Sequence, residues 1–397
     1  MRILLLTGGS RGDVEPFAAL ARAAAAHGHS VRLGVPDNSG ADLSGIDAVS
    51  LRIDFATLAP QGLSALSAAR AFTESIRPAM KRFLATAVRE ALTFAPDLIV
   101  YHPKVLSAPL VADALGVPHV LVEMVPSVTS TRAFPAPAIS RANLGPLNRA
   151  TYTAVNSAGA LFRRELAAAR TLLPRPSTPT PTPPSATLLP ISPQLLRRPK
   201  DWPATVHLTG AWRDEDSHGH DDPALESFIA GGPFLYAGFG SMVGGDPVGR
   251  AVAIIESART IGCRVVAAEG WGGLRVPGSH RTDDVFVAQT VPHGSVLPRA
   301  TAAIHHGGAG TVHAVARAGI PSIVVPFLAD QPFWGQRVHT LGLGPAPIPR
   351  KKLTKTRLDA ALARMDSFRE RAERTGALVR SERGLEYSIR VLESLVR

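Results

Sequence analysis

The stretch Ala303-Ile-His-His-Gly-Gly-Ala-Gly-Thr-Val312 takes an apolar run directly into a turn holding Gly307, Gly308 and Gly310. It reads as a buried strand, a glycine-rich turn and the opening of a helix. Glycines at these places let backbone N–H groups come close to an anion, and a helix N-terminus adds the positive end of its dipole. His306 can donate to a phosphate oxygen, and Thr311 brings a hydroxyl to the first helical turn. A diphosphate fits such a turn. Close packing of strand on helix also calls for glycine, so the turn alone leaves binding and packing both open.

Working outward, the same alternation recurs on both sides. Residues 234–239 form an apolar run ending at Gly240 and Ser241, followed by a helical stretch at 248–261. Strand-like runs follow at 264–268, 285–289, 302–305 and 322–327, each succeeded by helix or turn signals. The first part of the chain begins the same way, with a strand at 2–7, a glycine-rich turn at 8–15, a helix at 16–27 stopped by Gly28, and a strand at 30–35. Buried strands are expected at 97–101 and 119–123 with a helix at 106–115 between them, and the run 186–190 reads as a return to the same sheet. The expected fold class is α/β, with two doubly wound parallel sheets. The segment 174–184 is dominated by proline and should be extended and exposed. The expected domains are 1–203 (containing 174–184), 204–378, and an amphipathic tail at 379–397.

A length of 397 residues suits two such domains, and 45% apolar with 19% charged residues fits a globular chain. Residues 1–7 pass straight into Gly8 and Gly9 without a cleavage pattern, so they read as a first strand and not a signal peptide. No apolar stretch reaches the roughly 20 residues of a membrane helix. With the single Cys263, this gives the expectation of a cytoplasmic protein without stable membrane insertion. The net charge of +11 raises the question of nucleic acid. The basic residues are scattered over helical stretches, however, apart from a cluster at Arg350, Lys351, Lys352, Lys355 and Arg357, and nucleic-acid motifs are missing. A solvated basic face, or a potential that attracts an anionic substrate, is the expected reading, with no nucleic-acid partner.

Further candidates lie at strand ends, which converge on one edge of a doubly wound sheet. Asp13 stands in the first glycine-rich turn, either as a site carboxylate or as a helix N-cap. His102, beside Pro103, either assists Asp13, replaces it, or is a plain loop histidine. Asp330 and Gln331 can bracket neighbouring sugar hydroxyls, or Asp330 caps a helix that begins with Pro332. The pairs His27/His29, His218/His220 and His305/His306 lack carboxylate or thiol partners at ligand spacing, so no metal is expected.

The run 285–338, with Val291-Pro-His293, His305-His-Gly-Gly-Ala-Gly-Thr311 and Ala329-Asp-Gln-Pro332, resembles the sugar-donor signature of family 1 glycosyltransferases. Gly8-Gly-Ser-Arg-Gly-Asp-Val-Glu-Pro16 is similar to the bacterial antibiotic and sterol glucosyltransferase branch of that family. The resemblance spans both halves and leaves 46–95, 126–148 and the linker uncovered. It implies the GT-B fold, two Rossmann-like domains facing each other across a cleft. Ser241, His306, Gly308, Gly310 and Thr311 would then hold the diphosphate, with Gly12 and Ala309 in the same set. Asp330 and Gln331 would hold the hexose, and the backbone of Val291 would meet the pyrimidine.

Two departures stand out: Thr290 and Ala314 replace the tryptophan and ribose-binding glutamate of plant relatives. Trp271, in Glu269-Gly-Trp-Gly-Gly273, is then either a base or phosphate neighbour or a packed loop aromatic. The resemblance makes Asp13 the catalytic base and puts His102 where relatives carry a supporting acid. Phe72, Met80 and Phe134 are candidates for the acceptor site.

The implied activity is inverting transfer of a hexose, glucose or a deoxy sugar, from a UDP- or dTDP-sugar to a small, largely apolar natural-product acceptor. No cofactor or metal is implied, and the state expected is a monomer or weak homodimer. The alternative is another nucleotide-sugar enzyme of this fold, such as an epimerase. The tail helix at 385–396 should pack back on the first domain, because Leu385, Ile389, Leu392 and Leu395 share one face.

Overall fold

The structure is a computed structural model that describes residues 1–58, 65–140, 142–174, 181–213, 222–240, 242 and 244–396. The first sheet contains β1 (Arg2–Leu6), β2 (Ser30–Val35), β3 (Ala48–Ser50), β4 (Leu98–Tyr101), β5 (His119–Val122), β6 (Ala186–Leu189) and β7 (Val206–Leu208). The second contains β8 (Phe234–Gly238), β9 (Arg264–Ala268), β10 (Val285–Ala288), β11 (Ala302–His305) and β12 (Ser322–Val324). The strand orders are β3-β2-β1-β4-β5-β6-β7 and β10-β9-β8-β11-β12, and every pairing is parallel.

Parallel sheets covered on both faces need strands that are apolar throughout. In β1, Leu4 and Leu6 pack toward the helix Arg77–Phe94, while Ile3 and Leu5 pack toward the helix Arg11–Ala26. Each sheet reverses its order once, between β1 and β4 and between β8 and β11. At these points Leu6 pairs with Tyr101 and Gly238 pairs with His305. Loops leaving the carboxyl ends at a reversal diverge and open a crevice, the usual ligand position in such sheets.

Several expectations need correction. The first helix begins at Arg11, five residues before the expected start at 16, and contains Pro16. Ser10 caps it, and Asp13 in its first turn accepts the Ser10 backbone N–H at 2.9 Å, which offsets the breaking tendency of the glycines. The edge strands β3 and β7 are three residues each and were too short to read from periodicity. Because β7 pairs with β6, the first sheet runs to Leu208.

The two sheets are joined by packing. Ile191, Leu195 and Trp202 from the first half share one buried cluster with Val312, Trp334 and Val338 from the second. Across it the Ser192 N–H donates to His313 Nε2 at 3.1 Å, and Arg337 Nε donates to the Leu195 carbonyl at 3.1 Å. Of the proline-rich segment, residues 175–180 lie outside those described. The last helix, Gly384–Ser394, lies on the first sheet's core: Ile389 and Leu392 are buried there, with Leu385 and Leu395 packed alongside. Trp212 Nε1 donates to Ser388 Oγ at 2.8 Å, and His29 Nε2 lies 3.1 Å from Glu393 Oε1.

Candidate active site

At the first reversal, Asp13 follows β1 and His102 follows β4, so the pairing of Leu6 with Tyr101 brings them together. His102 Nε2 lies 3.4 Å from Asp13 Oδ1. The Lys104 backbone N–H donates to His102 Nδ1 at 3.2 Å, which leaves the ring proton on Nε2, facing Asp13. Burial pushes the His102 imidazole below its ordinary range, outweighing the pull of Asp13, so the ring is neutral. His102 thus donates to Asp13, and both its nitrogens are engaged.

Asp13 Oδ2 accepts from the Ser10 N–H at 2.9 Å and from Lys104 Nζ at 3.1 Å. Burial works to raise this carboxyl. The hydrogen bond from His102, the Lys104 charge and the Ser10 N–H overcome it and hold Asp13 well below the usual carboxylate range. Asp13 is thus not the N-cap of its helix, which is Ser10, but the third residue of the first turn, whose carboxylate closes the capping box while facing His102 and Lys104. Gly12, second in the helix, is exposed and open on its side-chain face.

At the second reversal, Gly308 is the N-cap of the helix Ala309–Ala318, and no side chain caps it. The first N–H groups of that helix, at Ala309, Gly310 and Thr311, have no intrahelical acceptor and point out of its N-terminus. Gly307 has φ +87°, and a Cβ there would meet Val324 Cγ1 at 2.6 Å, while a Cβ on Gly308 would overlap the His306 ring. Gly308 is therefore required by the close approach of His306, and Gly307 by the turn and the contact with Val324. Burial pushes His306 down to about 4 and His305 down to about 3, so both are neutral. His306 Nδ1 is buried and has no protein partner among the described residues. Ser241 lies outside the described residues; its neighbour Gly240 approaches the His306 ring.

Trp271 is 57% exposed, with its backbone N–H donating to the Gly240 carbonyl at 3.1 Å. The indole is therefore not a packed loop aromatic, and it presents a free face beside the glycine turn. Val291 is half-buried just past β10. Arg250, which nothing in the sequence singles out, is buried and donates to the carbonyls of Gly244 and Gly273, tying together the loops that follow β8 and β9.

Asp330 is half-buried, and its Oδ2 accepts from Trp334 Nε1 at 3.0 Å instead of capping the helix Gln331–Thr340. Burial pushes its carboxyl up, and the charges of Asp13 and Lys104 reach it from the other domain. The preceding Ala329 has φ +55°, a strained conformation that fixes where Asp330 emerges. Gln331 does not stand beside it in the cleft. Its Oε1 accepts from the N–H groups of Phe327 and Leu328 at 2.7 and 3.1 Å, and Nε2 points to Met242 Sδ at 3.1 Å. With the residue 4% exposed, the amide's hydrogen bonds go to the loop that precedes its helix and to Met242.

The acceptor candidates separate. Met80 is a core residue beneath the first sheet, because its place on the helix Arg77–Phe94 faces inward with Phe83 and Leu84. Phe72 is half-buried against Phe162 at 5.7 Å between ring centres. Phe134 crosses to the second domain and meets Phe333 at 5.3 Å, three residues beyond Asp330. Phe55 and Phe83 flank Gly8, and Lys104 Nζ sits 5.5 Å over the Phe55 ring, so these side chains wall the approach to Asp13. Lys104 carries no motif signal. His293 was visible within the Val291–His293 motif; its Nε2 lies 2.8 Å from the Tyr236 hydroxyl.

The glycosyltransferase family 28 N-terminal domain matches residues 3–135, and the erythromycin biosynthesis protein CIII-like C-terminal domain matches residues 274–382. The chain is 32% identical over 419 residues to the sterol 3-beta-glucosyltransferase UGT80A2 of Arabidopsis thaliana, across 98% of this chain and 65% of that protein. It is also 32% identical over 430 residues to the O-mycaminosyltylonolide 6-deoxyallosyltransferase of Streptomyces fradiae, across 99% of this chain and 97% of that one. The chain thus spans less than two thirds of the plant sterol enzyme but almost all of the Streptomyces enzyme.

Among solved structures, the kitacinnamycin glycotransferase aligns with a TM-score of 0.74 at 18% identity, over 100% of this chain and 99% of that one. The glycosyltransferase VinC in complex with dTDP aligns at 0.69 with 20% identity, again over 100% and 99%. Two reversal-point loops at the expected motifs, on a chain that matches a transferase nearly end to end, place it in the family 1 glycosyltransferases of the GT-B fold.

Proposed function

We propose that the chain transfers a hexose from a UDP- or dTDP-sugar to a small, largely apolar natural-product acceptor, with inversion at the anomeric carbon. The observation that carries this is the ionised Asp13, aligned by His102 on one domain, within electrostatic reach of Asp330 on the other. In this reading Asp13 takes the acceptor proton as the oxygen attacks the anomeric carbon, and Asp330 holds a sugar hydroxyl. The diphosphate leaves against the N-terminus of the helix Ala309–Ala318 and the neutral His306, which are oriented before the reaction begins. Inversion follows from a single displacement. Trp271 offers its exposed face to the base.

The leaving charge is met by backbone N–H groups and a histidine, so the reaction needs no metal and should persist in EDTA. The Arabidopsis relative is named for a sterol and the Streptomyces relative for O-mycaminosyltylonolide, and both names support a bulky acceptor. The dTDP complex of VinC supports a pyrimidine nucleotide. Incubation with UDP- and dTDP-hexoses and a panel of phenolic, macrolide and sterol acceptors, read by mass, tests the reading. Hexose-shifted products support it. Interconversion of the nucleotide sugar without transfer would favour an epimerase instead.

A further inference from the structure

Gly9 has φ +136°, and a Cβ there would overlap Asp13 Oδ2 and crowd Lys104 Nζ. The glycine leaves the space in which carboxylate and ammonium meet. Of the Asp13 oxygens, Oδ1 faces His102 and Oδ2 already accepts from Ser10 and Lys104. The His102 side chain is nearly enclosed at 9% exposure, whereas the Lys104 side chain is 43% exposed. An acceptor oxygen that reaches Oδ2 from the open side therefore arrives beside the Lys104 ammonium, over the Phe55 ring. The remaining charges around Asp13 are few. Arg11 and Glu15 on its own helix pair with each other, and Asp330 faces it from the second domain.

We propose that Lys104 is a positioning and specificity residue of the acceptor site, pairing with Asp13 Oδ2 and stabilising an acceptor oxygen that sheds its proton, so that the preferred acceptor is an acidic hydroxyl of the phenol class. This rests on the transferase reading. A carboxylate whose Oδ2 already accepts from the Ser10 N–H and the Lys104 ammonium is a weak base. It is poorly matched to an alkyl alcohol, whose proton is held about as tightly as that of water, near 15.7. A phenol, at about 10, narrows that gap, and the ammonium narrows it further. In the step, the phenol proton passes to Asp13 Oδ2 while the oxygen bonds to the anomeric carbon. The bond from that carbon to the diphosphate breaks, and the diphosphate carries away the electron pair.

Two measurements on Lys104→Met and Lys104→Arg test this. The first is the carboxyl titration of Asp13 by carbon-13 NMR, which needs no substrate. It should move to higher pH in Lys104→Met and return toward wild type in Lys104→Arg. The second compares transfer to 2-naphthol and to decahydro-2-naphthol, matched in size. Wild type should favour the phenol, and Lys104→Met should lose on the order of 10- to 100-fold on the phenol and less on the alcohol, so that the preference for the phenol narrows. An unmoved Asp13 titration overturns the proposal whatever the transfer assay gives, and equal losses on both acceptors overturn the acceptor class. Wild-type protein that passes sugar to no hydroxyl overturns the transferase reading itself, and the carboxyl titration then still judges the ion pair.

Discussion

His102 Nε2 faces Asp13 Oδ1 at 3.4 Å, with the opposite ring nitrogen occupied by the Lys104 backbone N–H. The imidazole can therefore orient the carboxylate but has no free basic nitrogen. Asp13→Asn should keep nucleoside-diphosphate affinity and slow transfer on the order of 100-fold or more. His102→Ala should slow it less, because Asp13 keeps its bonds to Ser10 and Lys104. A larger loss in His102→Ala than in Asp13→Asn, measured as kcat on one acceptor, would reverse these roles.

His306→Ala should weaken UDP and dTDP binding by about 10-fold, the size of one neutral hydrogen bond. The variant leaves the helix N-terminus at Gly308 intact, so binding should be reduced and not abolished. Calorimetric titration checks this, and wild-type affinity would remove His306 from the site.

Much of this was legible in the sequence because the informative residues sit at strand ends, where type and spacing follow from backbone needs. The turn at Gly307, Gly308 and Gly310, the pair Asp13 and His102, and the four-residue stripe of the last helix are all local patterns. The strands β3 and β7 were missed because three residues hold no readable period. Lys104 was missed because its meaning comes only from the pairing of β1 with β4, which no local pattern encodes. Met80 misled for a related reason: a residue type suits a site, but only packing decides which way the side chain turns. The first helix began early because capping by Ser10 and Asp13 outweighed a glycine and a proline.

Four histidines of the second domain are neutral in the fold. Burial pushes His293, His306 and His313 down to about 4, and His305 to about 3. In the unfolded chain they titrate near 6.5, so between those values the unfolded state binds more protons and stability rises with pH. Stability should accordingly fall as the pH is lowered from about 6.5 toward 4, each histidine contributing up to about 1.4 kcal/mol per pH unit. Urea midpoints between pH 7.5 and 4.5 check the slope. A flat profile would mean that these rings protonate freely in the folded protein.

The last helix joins the chain's end to its beginning. Leu392 is fully buried in the cluster that holds Ile3, Leu5 and Phe17, and Trp212 donates to Ser388 from the segment leaving the first sheet. Phe17 packs edge-on against both Trp212 and His102, at 6.4 and 6.5 Å between ring centres, so the same packing reaches the residue that aligns Asp13. Leu392→Ala should cost about 2–5 kcal/mol, the range for emptying a filled core position. Ser388→Ala leaves the buried indole N–H unpaired and should cost about 1–3 kcal/mol. If the helix also supports the Asp13 corner, Leu392→Ala should lower kcat at temperatures well below its unfolding transition while leaving UDP affinity unchanged, because Leu392 packs in the first sheet's core. A Leu392→Ala protein with a lowered melting temperature but wild-type kcat would confine the helix to stability.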